Sequence, residues 1–326
     1  MDFRTKSDSA LPLVSVGVLS YNYAVYVLDT LDSVFIQTYP HIEFFIVDDA
    51  SSDNSVELIE QWIIDNEVDV DLIVHPVNKG RNSAINNILG KARGKYIVLF
   101  ASDDEMNPRR IEEQVKAMEA AGEEYSVCYS DAELMNEQSN YRGLYSEKLK
   151  SPFLSGNVFE KFYHGEFFMA AASIMFRKTI YDTVGLYDER LTAEDYDMWM
   201  RILPLTNVLF CNYIGVKYRI KENQNFAPSV QNNLQQWYHR DRILIYKKLV
   251  TLLRKLQQWP NIEQAATKKI RFHLIHLKEL KSPYFVPMLM FLLKNSFYNI
   301  PFAWLLKLHI NQLLTRQVKE RLEVES

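Results

Sequence analysis

Among the adjacent carboxylates in the first two-thirds of the chain, three pairs are candidates for chemistry: Asp48-Asp49, Asp103-Asp104 and Glu194-Asp195. Paired carboxylates do two kinds of chemistry. They hold a hard divalent cation or the hydrogen-bond donors of a ligand, or one of them takes a proton from a reacting hydroxyl while its neighbour keeps its proton affinity from falling too low. Each pair also has a structural reading. Asp49-Ala50-Ser51-Ser52-Asp53-Asn54 makes a good turn and helix cap. Asp103 and Asp104 sit favourably before a helix that Asn107-Pro108 would open. Thr192-x-x-Asp195 has the shape of a capping box, which would tie Asp195 to the backbone. Spacing alone leaves both readings open.

The elements around these pairs alternate. Leu13–Ser20, Ile42–Val47, Val70–His75 and Tyr96–Phe100 read as strands. The first is nearly all apolar, as expected of a strand buried on both faces of a parallel sheet. Between them Tyr26–Gln37, Ser55–Ile64 and Ser83–Lys91 read as helices, the first with Val27, Leu28, Leu31, Val34 and Phe35 on one face. This predicts an α/β fold with a doubly wound, mostly parallel sheet. Arg109–Ala121 should be a helix, Tyr125–Tyr129 a strand, and Asp131–Phe162 a substrate-facing insertion. Phe168–Phe176 reads as a strand, Thr192–Leu203 as a short helix, and Asn207–Ile220 as strand runs interrupted at Gly215. From about Ser229 the pattern is helical, so a boundary is placed near residue 225, dividing residues 1–225 from 226–326. In an open parallel sheet, ligands bind beyond the carboxyl ends of the strands. Asp48-Asp49 and Asp103-Asp104 both fall on that rim, where four carboxylates repel one another unless a cation or donors lie among them.

The order of short motifs resembles the family-2 glycosyltransferases of GT-A fold, the Rossmann-like nucleotide-diphospho-sugar transferases. The residues that carry the resemblance are Val14-Ser15-Val16, Ser20-Tyr21-Asn22, Gln37-Thr38-Tyr39-Pro40 and Val47-Asp48-Asp49-Ala50-Ser51-Ser52-Asp53. Asn78-Lys79-Gly80, Ala84-Ile85-Asn86, Gly94-Lys95-Tyr96, Ser102-Asp103-Asp104 and Glu194-Asp195-Tyr196-Asp197-Met198-Trp199 follow in order. Together they cover about residues 13–220. The resemblance implies a nucleotide-sugar donor, UDP-linked by expectation, a divalent Mg²⁺ or Mn²⁺, and inversion at the anomeric carbon. It implies donor contacts for Ser20, Tyr21, Asn22 and Asp49, ribose contact for Asp103, metal coordination by Asp104 with Asp103, and a catalytic role for Glu194-Asp195 with Asp195 as base. Arg81, at the start of a predicted helix, either faces solvent or meets the donor's diphosphate, since a cation there is unfavourable by roughly 0.3–1 kcal/mol without an anion nearby. Two departures stand out. Ala101 occupies a position often acidic in relatives, and Tyr218-Arg219 is followed by Ile220-Lys221 where a histidine is common. Lys221 is therefore expected to neutralise the departing diphosphate.

Composition bounds the alternatives. The chain has 326 residues, 48% hydrophobic and 24% charged, which is the balance of a globular protein. Its net charge of −4 hides an asymmetry: from Gln236 onward 16 Lys and Arg stand against 6 Asp and Glu, and the remainder has 21 against 35. The basic helices, with Lys247, Lys248, Arg254 and Lys255 in one stretch and Phe285, Met290, Phe291, Phe297, Tyr298 and Trp304 in another, have three uses. They pack on the front of the chain, pair with a second copy in a homo-oligomer, or lie on a membrane surface. Nucleic acid is the disfavoured partner, since no binding module accompanies the charge. Cys128 and Cys211 lack metal-ligand spacing and read as buried thiols. With a start, Met1-Asp2-Phe3-Arg4, that lacks a signal-peptide core, they point to a cytoplasmic protein, at the inner face of the plasma membrane if the tail docks there. The longest apolar run, Ser282–Leu293, has 12 residues and is short for a membrane span. There is no glycine-rich dinucleotide fingerprint, phosphate loop or zinc pattern. The expected acceptor is a hydroxyl of a glycan or lipid-linked saccharide in surface polysaccharide assembly; the rivals are transfer to a polyprenyl phosphate and a non-catalytic sugar-nucleotide-binding scaffold.

Overall fold

The computed structural model describes residues 11–220 and 228–294. Strands β1 (Val14–Ser20), β2 (Ile42–Asp48), β3 (Val70–Val74) and β4 (Tyr96–Ala101) alternate with helices α1 (Val27–Phe35), α2 (Ser55–Asn66) and α3 (Arg81–Lys91). The strands pair in parallel in the order β3-β2-β1-β4. Val14, Val16 and Val18 on one side of β1, and Phe45 and Val47 on the corresponding other side of β2, are all buried, because helices cover both faces. On α1, Val27, Leu31 and Val34 turn inward and Phe35 packs partly against them, whereas Leu28, expected on the same face, is exposed. The register places Ser20 opposite Asp48 and Leu19 opposite Ala101, so three strands end level and their loops leave from one rim. The winding reverses at β1, which makes the crevice there the natural ligand position.

The second half extends this sheet. Its elements are β5 (Glu105–Met106), α4 (Arg110–Ala121), β6 (Tyr125–Met135), β7 (Tyr141–Leu144), α5 (Tyr145–Leu149), α6 (Phe159–His164), a 3₁₀ turn (Ala171–Ser173), β8 (Met175–Arg177), α7 (Ile180–Val184), α8 (Glu194–Ile202) and β9 (Asn207–Arg219). The order continues β4-β8-β6-β9-β5, with β7 beside β6 and β8 antiparallel to both its neighbours. The sheet is thus the expected doubly wound one with a mixed far half. Three local expectations are corrected. The stretch after Tyr129 begins as more of β6, because Ala132, Leu134 and Met135 are buried against the sheet. Most of 168–176 is not strand, only Met175–Arg177 pairing. The run at 207–220 is one long strand, and Gly215 does not break it. A side chain at Gly215 would lie 2.4 Å from Ser130 Oγ, so glycine is needed there for close approach of β9 to β6. Cys128 and Cys211 are free, buried thiols on these two strands.

Helices α9 (Pro228–Leu256), α10 (Pro260–Glu279) and α11 (Phe285–Lys294) follow. Ile243, Leu249, Val250 and Leu253 of α9 and Ile270, Leu274 and Leu277 of α10 are buried in the same apolar cluster as Phe159, Phe162, Met198 and Ile202. Full burial of each such side chain stabilises by roughly 1.5–3 kcal/mol. The apolar face of these two helices is thereby used in packing on the front of the chain. The expected boundary near residue 225, together with Lys221, Phe297, Tyr298 and Trp304, lies outside the described residues. Among the described residues no helix is long and apolar enough to cross a membrane.

Candidate active site

The loops after β1 and β2 are laced together at the rim. Ser20 Oγ donates to Asp48 Oδ2 at 2.8 Å, and Asp48 also accepts from the backbone N–H and hydroxyl of Ser51. Asn22 Oδ1 accepts from Ser52 N–H at 2.8 Å. Asn22 and Ala50 both have positive φ, +55° and +63°, which is unremarkable for asparagine but strained for alanine. Asp49 is 4% exposed and heavily engaged: it accepts from His75 Nδ1 at 2.7 Å, Lys79 N–H at 2.8 Å and Gly80 N–H at 2.7 Å. It therefore fixes the turn that opens α3, where Gly80 takes φ +87°. Ser20, Tyr21, Asn22, Asp49, Asn78 and Arg81 line a cleft of about 380 Å³.

A larger cleft of about 590 Å³ adjoins it, sharing Leu19, Tyr23, Arg81 and Ala101. Asp103, Asp104, Asp195, Lys148, Trp199 and Tyr218 are among its walls. Asp104 is 2% exposed, and one of its oxygens accepts from Arg219 N–H at 2.7 Å. Burial and the Asp103 charge beside it push the Asp104 carboxyl well above the usual carboxylate range. Arg219 is also buried: its guanidinium donates to the carbonyls of Asp103 and Asn136 and lies 4.0 Å over the Tyr26 ring. It thus pins the Asp103-Asp104 turn to the end of β9. No group of three or more His, Cys, Asp or Glu side chains among the described residues is arranged to hold a metal ion alone. Asp103 and Asp104 fit the other mode of Mg²⁺ or Mn²⁺ binding, in which one or two carboxylates act with substrate phosphates. The raised proton affinity of Asp104 comes first from burial and then from the Asp103 charge, while Arg219 and Arg81 act against it.

Asp195 stands in the first turn of α8 and lines the same cleft. The capping box that would have engaged it is not formed. α8 starts at Glu194 after Ala193 with no side-chain cap, and Thr192 N–H and Oγ1 both donate to Asp241 Oδ2 of α9, at 2.7 and 2.6 Å. The Asp195 carboxylate has no hydrogen-bond partner among the described residues. Removal from water, with Glu194 next to it, raises its pKa to about 7, while Arg81 pulls the other way. Glu194 Oε1 accepts from Arg81 Nη1 at 3.1 Å at the cleft mouth.

Eight of the residues singled out from the sequence therefore line the two joined clefts: Asp49 with Ser20, Tyr21 and Asn22 in the smaller, Asp103, Asp104 and Asp195 in the larger, and Arg81 as the eighth. Arg81 belongs to both, Glu194 meets it, and Lys221 lies outside the described residues. Sequence reasoning missed His75, Lys148, Trp199 and Arg219 as parts of the site. Trp199 had a signal, its place in the Glu194–Trp199 motif one helical turn from Asp195, which puts both on one face. Lys148 had none, since its helix stands in an aperiodic stretch.

Residues 15–185 match glycosyl transferase family 2, and the chain belongs to that family. An uncharacterized glycosyltransferase of Rickettsia felis is 28% identical over 244 residues, which are 70% of this chain and 38% of that protein. The putative teichuronic acid biosynthesis glycosyltransferase TuaG of Bacillus subtilis is 38% identical over 108 residues, 33% of this chain and 42% of TuaG. This chain thus spans well under two thirds of either relative. Among solved structures, S. aureus TarS 1–349 in complex with UDP-GlcNAc superposes with a TM-score of 0.56 at 16% identity, covering 80% of each chain. The mannosyltransferase PcManGT from Pyrobaculum calidifontis, in complex with GDP-Man and Mn²⁺, gives 0.52 at 15% identity, covering 90% of this chain and 83% of that one. At such identities the likeness is one of fold, and the fold is GT-A.

Proposed function

We propose that the chain is an inverting glycosyltransferase that moves a hexosyl or N-acetylhexosaminyl group from a nucleoside-diphosphate donor, a UDP-sugar first among candidates, to a hydroxyl of a glycan or lipid-linked saccharide. The observation that carries this reading is Asp195: a carboxylate free of hydrogen-bond partners among the described residues, with a pKa near 7, in the same cleft as Asp103 and Asp104. The nucleoside occupies the smaller cleft beside Tyr21 and the Asp49-held turn, and its diphosphate reaches Arg81, which borders both clefts. Asp103 and Asp104 would hold Mg²⁺ or Mn²⁺ together with that diphosphate, and the cation would offset charge on the leaving group. Asp195 accepts the acceptor's hydroxyl proton as its oxygen bonds to the anomeric carbon. The bond to the diphosphate breaks on the opposite face, so configuration inverts.

Two fold neighbours in complex with nucleotide sugars, one of them with Mn²⁺ as well, support the donor and cation, and the name of TuaG supports a surface-polymer setting. The basic outer surface of α9 and α10, whose apolar faces are occupied, is the part left to meet an anionic lipid-linked acceptor or membrane surface. Residues 1–225 would then carry the chemistry and the helices from 226 that contact. A thermal-shift screen of UDP- and GDP-sugars with and without Mn²⁺ tests the donor. Turnover of Asp195→Asn tests the acceptor: loss of nearly all activity supports a hydroxyl, and near-normal activity overturns the base assignment in favour of an acceptor already ionised, such as a polyprenyl phosphate.

A further inference from the structure

Helix α9 grips the segment that carries Asp195. Over two turns of α9, Arg240 donates to the carbonyl of Arg190 at 2.7 Å, Asp241 accepts from Thr192 twice, and Arg242 lies 3.6 Å over the Tyr196 ring. Tyr246 Oη meets Tyr196 Oη at 3.2 Å, and Lys248 bridges Asp188 and Asp197 at 2.8 and 2.9 Å. Asp241 is 1% exposed, and its other oxygen is held by the Arg240 guanidinium at 2.6 and 2.8 Å. A buried carboxylate so fully partnered has one fixed position.

Its effect follows from what Thr192 would otherwise do. In a capping box the threonine is the N-cap, its hydroxyl accepts from the backbone N–H three residues on, and that residue's carboxylate returns to the threonine N–H. Thr192 and Asp195 have this spacing. Asp241 occupies the Thr192 N–H that the Asp195 carboxylate would need, and α8 begins one residue later, at Glu194.

We propose that Asp241 is a positioning residue for the transfer reaction: by holding Thr192, it denies Asp195 a backbone partner and keeps that carboxylate in the cleft. The helical tail is then a component of the reaction centre. This rests on Asp195 being the base, and the test separates the two. The groups facing Asp195 are Glu194 beside it, Arg81 from α3, Tyr145 from α5, Tyr181 from α7, Tyr187 from the segment before α8 and Tyr218 from β9. None of them is altered by the variants used.

The first measurement needs no ligand: carboxyl NMR titration of the whole protein with labelled aspartate, the Asp195 resonance being identified by its loss in Asp195→Asn. In the unaltered protein it should titrate near pH 7. In Asp241→Ala the midpoint should drop by about one unit or more, since a carboxylate accepting backbone N–H bonds is held ionised. Adding Thr192→Val, which removes the capping hydroxyl, should bring the midpoint part of the way back. An unchanged midpoint in Asp241→Ala, or a double variant no different from the single, overturns the proposal. If Asp241→Ala does not fold, Asp241→Asn serves, and should give a smaller drop in the same direction; no drop overturns the proposal equally. The second measurement is hydrolysis of UDP-N-acetylglucosamine, where Asp241→Ala should lower kcat at least about ten-fold, within the roughly 10²–10⁴ a positioned base supplies, at unchanged KM. A rise in KM with kcat intact overturns it. Near-normal turnover of Asp195→Asn would remove the base reading alone, because the titration still reports whether Asp241 governs Asp195.

Discussion

Arg81 and Glu194 meet at 3.1 Å across the mouth of the two clefts, one from the start of α3 and the other from the start of α8. The arginine side chain is 53% exposed, so the pair contributes at most about 1 kcal/mol to stability. Its importance is electrostatic. Glu194 raises the proton affinity of Asp195, and Arg81 lowers it. In Glu194→Gln the negative neighbour is gone and Arg81 is freed, so the acid limb of the pH–rate profile should move to lower pH, with little change in melting temperature. A limb that stays put would mean that Asp195 does not set it.

Arg81→Ala should weaken donor binding at least about ten-fold, since a hydrogen bond to a charged group is worth roughly 1.5–3 kcal/mol. Calorimetric titration with UDP-sugar reads this directly. If affinity is unchanged, the exposed arginine is only a partner for Glu194.

The fold favours the protonated form of Asp195, whose pKa of about 7 stands above the ordinary 3.8. Stability from this group is therefore full below its unfolded pKa and is lost as pH rises through the folded one. Asp195→Asn should melt higher than the unaltered protein, with a larger gain at about pH 8 than at about pH 5, while turnover falls by roughly 10²–10⁴. Thermal unfolding at the two pH values checks the sign.

Asp104→Asn removes one of the two carboxylates proposed to act with the diphosphate. UDP should raise the melting temperature of the unaltered protein in Mn²⁺ and much less in EDTA, and the variant should show the small effect in both. Equal UDP shifts with and without the cation would overturn the metal assignment.

Asp49→Ala leaves the Lys79 N–H and the His75 ring without that acceptor, and the Gly80 N–H with Asn78 Oδ1 alone. Of these donors only the His75 ring is buried, and an unsatisfied buried donor costs about 1–3 kcal/mol, so the variant should be less stable and should bind donor weakly. Asp49→Asn, which keeps an acceptor oxygen, should fall between.

Much of this was legible because the residues involved are fixed by short-range rules. β1, β2 and β4 announce themselves by apolar runs, and Asp48-Asp49 and Asp103-Asp104 stand at the ends of such runs, so a rim of carboxylates follows from periodicity. Asp195 was legible only through its motif. What escaped notice depends on long-range partners. Nothing near Thr192 in the chain shows that its cap donors go to Asp241, 49 residues on. Arg219 is held by the carbonyls of Asp103 and Asn136, which sequence spacing does not reveal. The stretch after Tyr129 read as an insertion because β6 there alternates weakly, its burial coming from β9 on one side and β7 on the other.

Tyr163 of α6 packs edge-on against Tyr246 of α9, and Phe159 against Trp259, so the α/β half and the helical tail have a common interior. A chain shortened to its first 225 residues would bare that aromatic seam to water and should clump or melt early. Heating the entire protein should accordingly give a single calorimetric peak, with no earlier shoulder from the helices.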